Sequence, residues 1–259
     1  TDILREIDVL FPSQMIHIGA DEVHFGNQHW NVDNDVQQMM KNKNFKDLQE
    51  VEHYFVKRMA DSLQMLNNEV LAWDETANSG LSPKNTTVFW WRHDKPQVLK
   101  QAIEAGFKVV LCPRLPLYFD FVQDASHKLG RKWSGAFVPI DQVYNFPSKA
   151  ITEIPNSASL IQGMQANLWT EQFIDARQVD FMLFPRMAAL AEAAWTAGPE
   201  KDFNEFSARL KKHFRLYAAD GIYYYDPFNS QNAPEFLLPG QRKQSPDYEG
   251  LTKQEKGKP

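Results

Sequence analysis

Residues 15–26 read MIHIGADEVHFG. A short apolar run ends in a Gly-Ala step and delivers two adjacent acids, Asp21 and Glu22. Neighbouring carboxylates repel one another and each prefers water. Taken alone, the dipeptide fits a solvated loop as well as the mouth of an active site. What decides is whether other apolar runs in the chain end in the same way.

They do. Short apolar runs alternate with stretches of helical period, the pattern of repeated strand-helix units around a parallel sheet. The strand candidates are 15–19, 69–73, 87–91, 108–112 and 160–168. The helix candidates are roughly 45–67, 97–105, 179–195 and 203–217. The second strand ends in Trp73-Asp74-Glu75 and the third in Trp90-Trp91-Arg92. Tyr118 and Asp120 come shortly after the fourth, and Trp169-Thr170-Glu171 closes the fifth. Every candidate strand therefore presents an aromatic, an acid or both at its carboxyl end. In parallel α/β folds, and in (β/α)8 barrels above all, active sites are built at that edge.

Aromatic walls with carboxylates, and no His/Cys cluster, are the ingredients of glycoside recognition. Apolar faces stack on a sugar ring, acids accept hydroxyl protons, and a protonated acid donates to a leaving oxygen. Strand neighbours point to opposite faces, so Trp90 is assigned to the core and Trp91 to the pocket. Trp195 lies on a helical stripe and is also read as core. His17, inside an apolar strand, reads as a hydrogen-bonded interior histidine.

Bulk composition narrows the partners. The 259 residues are 43% hydrophobic and 13% aromatic, with a formal net charge of -5. The length suits one large domain or two small ones. Mild acidity without a Lys/Arg block argues against nucleic acid as a partner. The single cysteine, Cys112, leaves no internal disulfide. No apolar run approaches the roughly 18–20 residues that a bilayer-spanning helix needs. His24, His29, His53 and His93 lack metal-ligand spacing, so neither a metal nor a cofactor is expected.

Together these residues carry a family resemblance. His17-Ile18-Gly19-Ala20-Asp21-Glu22 resembles the H-x-G-G-D-E signature of glycoside hydrolase family 20, the β-N-acetylhexosaminidases. The likeness continues in order through LAWDE, FWWR, LYFDF and QANLWTE to the helix FPRMAALAEAAW, spanning about residues 1–220.

The resemblance implies a (β/α)8 barrel with only the last five strand-helix units in this chain. Residues 1–228 then read as a partial catalytic domain, while the tail 229–259, rich in Gln, Pro, Lys and Ser with little apolar content, reads from its composition as a surface arm or a disordered end. The resemblance also implies an exo-acting, retaining enzyme that removes terminal β-linked N-acetylhexosamine with the substrate's own 2-acetamido group as nucleophile. Glu22 then matches the general acid/base, Asp21 the acid that orients the acetamido group, and Tyr118 the phenol that donates to it. Trp73, Trp91 and Trp169 match the aromatic walls, and Asp120 and Glu171 the acids that hold sugar hydroxyls.

The expected partner is a glycan or glycoconjugate with a terminal N-acetylhexosamine. A second chain or copy would complete the barrel if the first three units are not supplied otherwise. The family's arginine for sugar hydroxyls has no counterpart here. Ala20 stands for the usual second Gly, a small change in volume. An exported location follows from the resemblance, although the chain shows no signal peptide. Two alternatives stand beside this reading: a sugar-binding fragment without turnover, and a retaining glycosidase using two protein carboxylates.

Overall fold

The computed structural model describes residues 2–25, 28–132, 137–196 and 198–240. The end of the polar arm, 241–259, lies outside them. Five strands form one sheet: β1 (Met15–His17), β2 (Glu69–Trp73), β3 (Thr86–Trp90), β4 (Lys108–Leu111) and β5 (Ile161–Met164). Spatial order equals chain order, and β1 through β4 pair in parallel. Parallel neighbours need a crossover; the helices Leu48–Met65 and Pro96–Glu104 supply it after β1 and β3. These are consecutive units of a (β/α) barrel, as the sequence pattern implies.

The chain forms two compact units, Thr1–Leu111 with Thr152–Gly163, and Cys112–Ile151 with Met164 onward. In the first, strand period decides which residues face the helices. Register places Ile16 beside Val70, and Ala72 beside Val88 beside Val109. All five are buried. The helix Leu48–Met65 covers this unit's core with Val51, Val56, Ala60 and Leu63. Asp47 caps it by accepting from the Glu50 amide (3.0 Å), so the helix starts at Leu48 rather than at the expected residue 45.

The opposite face of the sheet carries different residues. At its amino end Thr87 donates to Glu69 (2.7 Å) and Lys108 pairs with Glu69 (3.2 Å). Towards the carboxyl end come His17, Trp73 and Phe89, whose ring centroids lie 4.9 to 6.1 Å apart. The polarity of this face thus changes from ionic to aromatic along the strands.

Three expectations are corrected. The helix expected over 179–195 is two helices, Ala176–Leu183 and Arg186–Trp195. Pro185 supplies no N–H, and the residue before a proline is disfavoured in helical geometry; Phe184 is extended. Trp195 is 90% exposed, not core. The buried stripe runs Arg186, Ala189, Leu190, Ala193, and two positions beyond Ala193 is the opposite side of a helix. The strand expected over 160–168 stops at Met164, after which Asn167 makes only an isolated bridge to Tyr118.

Long connections expected from the sequence carry short structure of their own, including the helices Asn34–Lys43 and Ile140–Tyr144. The described part of the arm is packed. Glu235 accepts the Lys128 and Leu129 amides (both 2.7 Å), and Arg177 stacks on the Phe236 ring (3.6 Å). Leu237 joins a cluster of Leu129, Phe173, Phe181, Met182 and Tyr225.

Candidate active site

The carboxyl edge of β1–β3 collects one set of candidates. β1 ends at His17, and the turn beyond it is left-handed at Gly19 (φ 71°), Ala20 (φ 68°) and Glu22 (φ 53°). Only glycine adopts that region without penalty. The turn is nonetheless tied down. The Ile18 amide donates to Leu71 (2.9 Å), the Trp73 amide to Gly19 (3.1 Å), and the Gly19 amide to His17 Nδ1 (3.0 Å). A Cβ on Gly19 would stand 3.6 Å from Asp21 Oδ1, so the Asp21 carboxylate folds back over the turn. Asp21 and Glu22 are both exposed. His17 is solvent-exposed, not interior as expected, because the strand period that buries Ile16 turns His17 to the other face; partial desolvation lowers its pKa while the Asp21 charge pulls it up.

Ala20 occupies a backbone conformation that favours glycine, so its cost lies in φ rather than in volume. Strain at a functional loop persists where neighbouring contacts over-determine it, and the three hydrogen bonds above do that.

Next along the edge, Trp73 leads into the short 3-10 helix Asp74–Asn78. Trp91 donates its indole N–H to Glu75 Oε2 (3.0 Å), and Arg92 Nε donates to Asp74 Oδ1 (2.9 Å) and lies 3.7 Å from Glu75 Oε1. The Asp74 side chain is wholly buried. Desolvation, then a hydrogen bond shared with Glu75, push its carboxyl far above the ordinary range, against the pull of Arg92. Trp90 is buried, as expected, and its indole N–H reaches the Lys95 carbonyl (3.4 Å).

In the second unit the expected residues form another group. The rings of Tyr118 and Trp169 meet edge to face at 6.0 Å. Tyr118 is buried, which pushes its phenol upward and keeps it a donor; Trp169 remains 42% exposed. Asp120 is buried, and Arg131 links it to Glu171: Nε donates to Asp120 Oδ2 (2.9 Å) and Nη2 to Glu171 Oε1 (3.1 Å). Burial raises the Asp120 carboxyl to about 6, opposed by backbone hydrogen bonds and by Arg131. Gly130 (φ 100°) precedes this arginine. A Cβ there would meet the Asp120 carbonyl at 2.8 Å.

Beneath this group lies Arg186, fully buried. Its guanidinium donates to the carbonyls of Phe119 (2.6 Å), Phe121 (2.8 Å), Met182 (2.6 Å) and Val138 (3.3 Å), and stacks on the Phe119 ring (4.5 Å). Two of these carbonyls flank Asp120. Among the described residues no group of three or more His, Cys, Asp or Glu side chains is placed to hold a metal ion.

Residues 1–198 match the family model for the glycosyl hydrolase family 20 catalytic domain. The chain belongs to this family. It is 30% identical over 233 residues to a β-hexosaminidase of Porphyromonas gingivalis, covering 89% of this chain and 29% of that protein. It is 27% identical over 241 residues to a β-N-acetylhexosaminidase of Cellulomonas fimi, covering 90% and 44%. Among solved structures, a family 20 exo β-N-acetylglucosaminidase of Vibrio harveyi in complex with N-acetylglucosamine superposes with a TM-score of 0.79 at 31% identity, over 88% of this chain and 35% of that one. The chain thus spans less than half the length of these relatives.

For this family 20 domain, sequence reasoning found the acids and aromatics at strand ends and missed Arg131 and Arg186. Arg131 sits in a loop with no periodic signal. Arg186 looks in sequence like the polar first residue of an apolar helix.

Proposed function

We propose that this chain carries the hydrolytic site of an exo-acting, retaining β-N-acetylhexosaminidase working through the substrate's 2-acetamido group. The observation that carries the reading is the Asp21–Glu22 pair, held at the carboxyl end of β1 on a turn that is left-handed at Gly19, Ala20 and Glu22. Adjacent residues on such a turn serve different atoms of one substrate.

In the proposed step the acetamido carbonyl oxygen attacks the anomeric carbon as the bond to the leaving oxygen breaks. Glu22 gives that oxygen its proton. Asp21 accepts the acetamido N–H, and its fixed negative charge offsets the positive charge growing on that group, favouring the transition state over the ground state. Tyr118, kept protonated, donates to the acetamido oxygen. Water then attacks the anomeric carbon of the oxazolinium intermediate and loses a proton to Glu22 while the bond from that carbon to the acetamido oxygen breaks, restoring the acetamido group and giving net retention. Trp73, Trp91 and Trp169 form apolar walls, and Asp120 and Glu171 accept sugar hydroxyl protons.

Glu22→Gln is expected to lower turnover of a β-N-acetylglucosaminide with an alkoxide leaving group by roughly 10²–10⁴-fold, with N-acetylglucosamine binding retained. A variant at full rate would sink the acid assignment. Replacing the substrate's acetamido by a hydroxyl should abolish turnover. An unchanged rate, or a trapped glycosyl-enzyme ester, would favour a protein nucleophile instead.

A second reading rests on the chain's span of 29% to 44% of its enzyme relatives: sugar binding without turnover. Calorimetry with N-acetylglucosamine beside a hydrolysis assay separates the two.

A further inference from the structure

We propose that Glu75 is a positioning residue that fixes the indole plane of Trp91, with Arg92, itself anchored on Asp74, placed to hold Glu75 in turn. The proposal rests on the reading that Trp91 is a wall of the sugar pocket.

An indole has a single in-plane donor, so one hydrogen bond to its N–H selects one orientation of the ring about its side-chain torsions. For Trp91 that bond goes to Glu75 Oε2 at 3.0 Å. Glu75 Oε1 faces Arg92 Nε at 3.7 Å, and the same Nε donates to Asp74 Oδ1 at 2.9 Å. Two consecutive residues after β3 are thereby gripped by two consecutive acids after β2, strands that pair in register up to Trp73 and Phe89.

Each member of the grip is largely shielded from solvent. Asp74 has no exposed side-chain area, and Arg92 and Glu75 have 16% and 19%. Asp74 Oδ2 is buried without a donor from any side chain or amide among the described residues. Trp91 itself is 8% exposed, and a flipped ring would leave a buried N–H and the Glu75 carboxylate both without this bond. Other polar ways of stapling β2 to β3 would serve stability alone; an acceptor on the indole N–H also sets the angle of the aromatic face.

The test uses the chain with ¹⁵N-labelled tryptophan, the Trp91 indole signal being identified by its loss in Trp91→Phe. Glu75→Leu removes the acceptor, and Glu75→Gln keeps an oxygen that can accept. In Glu75→Leu the Trp91 indole proton is expected to move upfield and to exchange with water at least about tenfold faster, the remaining indole signals staying in place. Affinity for N-acetylglucosamine is expected to fall about tenfold, with most of both effects restored in Glu75→Gln. If Glu75→Leu loses the fold, seen as collapsed indole dispersion, Arg92→Met carries the test: freeing Glu75 should speed Trp91 exchange severalfold. An unmoved Trp91 signal in Glu75→Leu, or in Arg92→Met where that variant is needed, overturns the proposal. So does a Glu75→Gln variant as weak as Glu75→Leu. If Trp91→Phe leaves N-acetylglucosamine affinity unchanged, the sugar-wall reading has failed. If Trp91→Phe weakens binding and Glu75→Leu does not, the positioning proposal has failed while that reading stands.

Discussion

Replacing Arg186 by methionine should destabilise the second unit more than any surface change, and the structure sets the size. Methionine fills similar apolar length but cannot donate. The carbonyls of Phe119, Phe121 and Met182 lose bonds of 2.6 to 2.8 Å, and the Phe119 and Phe121 residues around them are at most 1% exposed. Leaving a buried acceptor unpaired costs about 1–3 kcal/mol each. Three such losses give a gross cost of several kcal/mol. Against this, the variant no longer desolvates a guanidinium, a burden visible in an Arg186 pKa lowered by burial to about 9. The offset is partial, because removing one side of a buried charged network ordinarily costs about 3–5 kcal/mol. For a chain of this size that corresponds to a fall in Tm of about 10 °C. Calorimetry would record it, and hydrogen exchange at the Phe119 and Phe121 amides should accelerate with it. A Tm within about 2 °C of the parent would refute the argument, showing that the carbonyls find other donors at little cost.

Three further outcomes follow from backbone and charge. Gly130→Ala would place a Cβ 2.8 Å from the Asp120 carbonyl and 2.9 Å from Met182 and Val122 atoms, at φ 100°. It should lose about 3 kcal/mol and disturb the Asp120–Arg131 pair; a Tm at the parental value would contradict this. Ala20→Gly relieves a left-handed alanine (φ 68°). A net gain of about 0.5–1 kcal/mol is expected after the entropic cost of glycine, read as a Tm higher by about 2 °C; an unchanged or lower Tm would count against it. Asp74 holds its proton in the fold up to about 8 but releases it near 3.8 when unfolded. Between those values the native state binds more protons, so this group lowers stability as pH rises through the window. Asp74→Asn should therefore show a flatter Tm between pH 4 and 8 than the parent; parallel curves would refute the assignment.

The sequence made the sheet legible because strand information is local. Apolar runs such as Val70–Ala72 and Val109–Leu111 sit between turn residues, and their alternation says which side chains meet the helices. The acids and tryptophans at strand ends could be found for the same reason: they follow directly on those runs. What stayed hidden depends on distant partners. Nothing near Arg186 in sequence announces that carbonyls 48 to 67 positions away will receive its protons. Arg131 gains its meaning from Asp120 and Glu171, one of them 40 residues away. Trp195 misled because an apolar stripe was extended past the last buried position, Ala193. Pro185 did carry a local signal, which the regular spacing on either side outweighed.

The packing of Glu235 bears on how the arm should be handled. Its two carboxylate oxygens accept the Lys128 and Leu129 amides, and the very next residue in that loop, Gly130, is the one that lets Arg131 approach Asp120. A boundary drawn where the composition turns polar, at residue 228, would remove this clasp. The shortened protein would keep every acid and tryptophan expected to touch sugar, yet lose the tie on the loop that aims Arg131 at two of them. For anyone trimming the chain for crystallisation or display, the segment through Leu238 has to be kept, well inside what composition alone would discard.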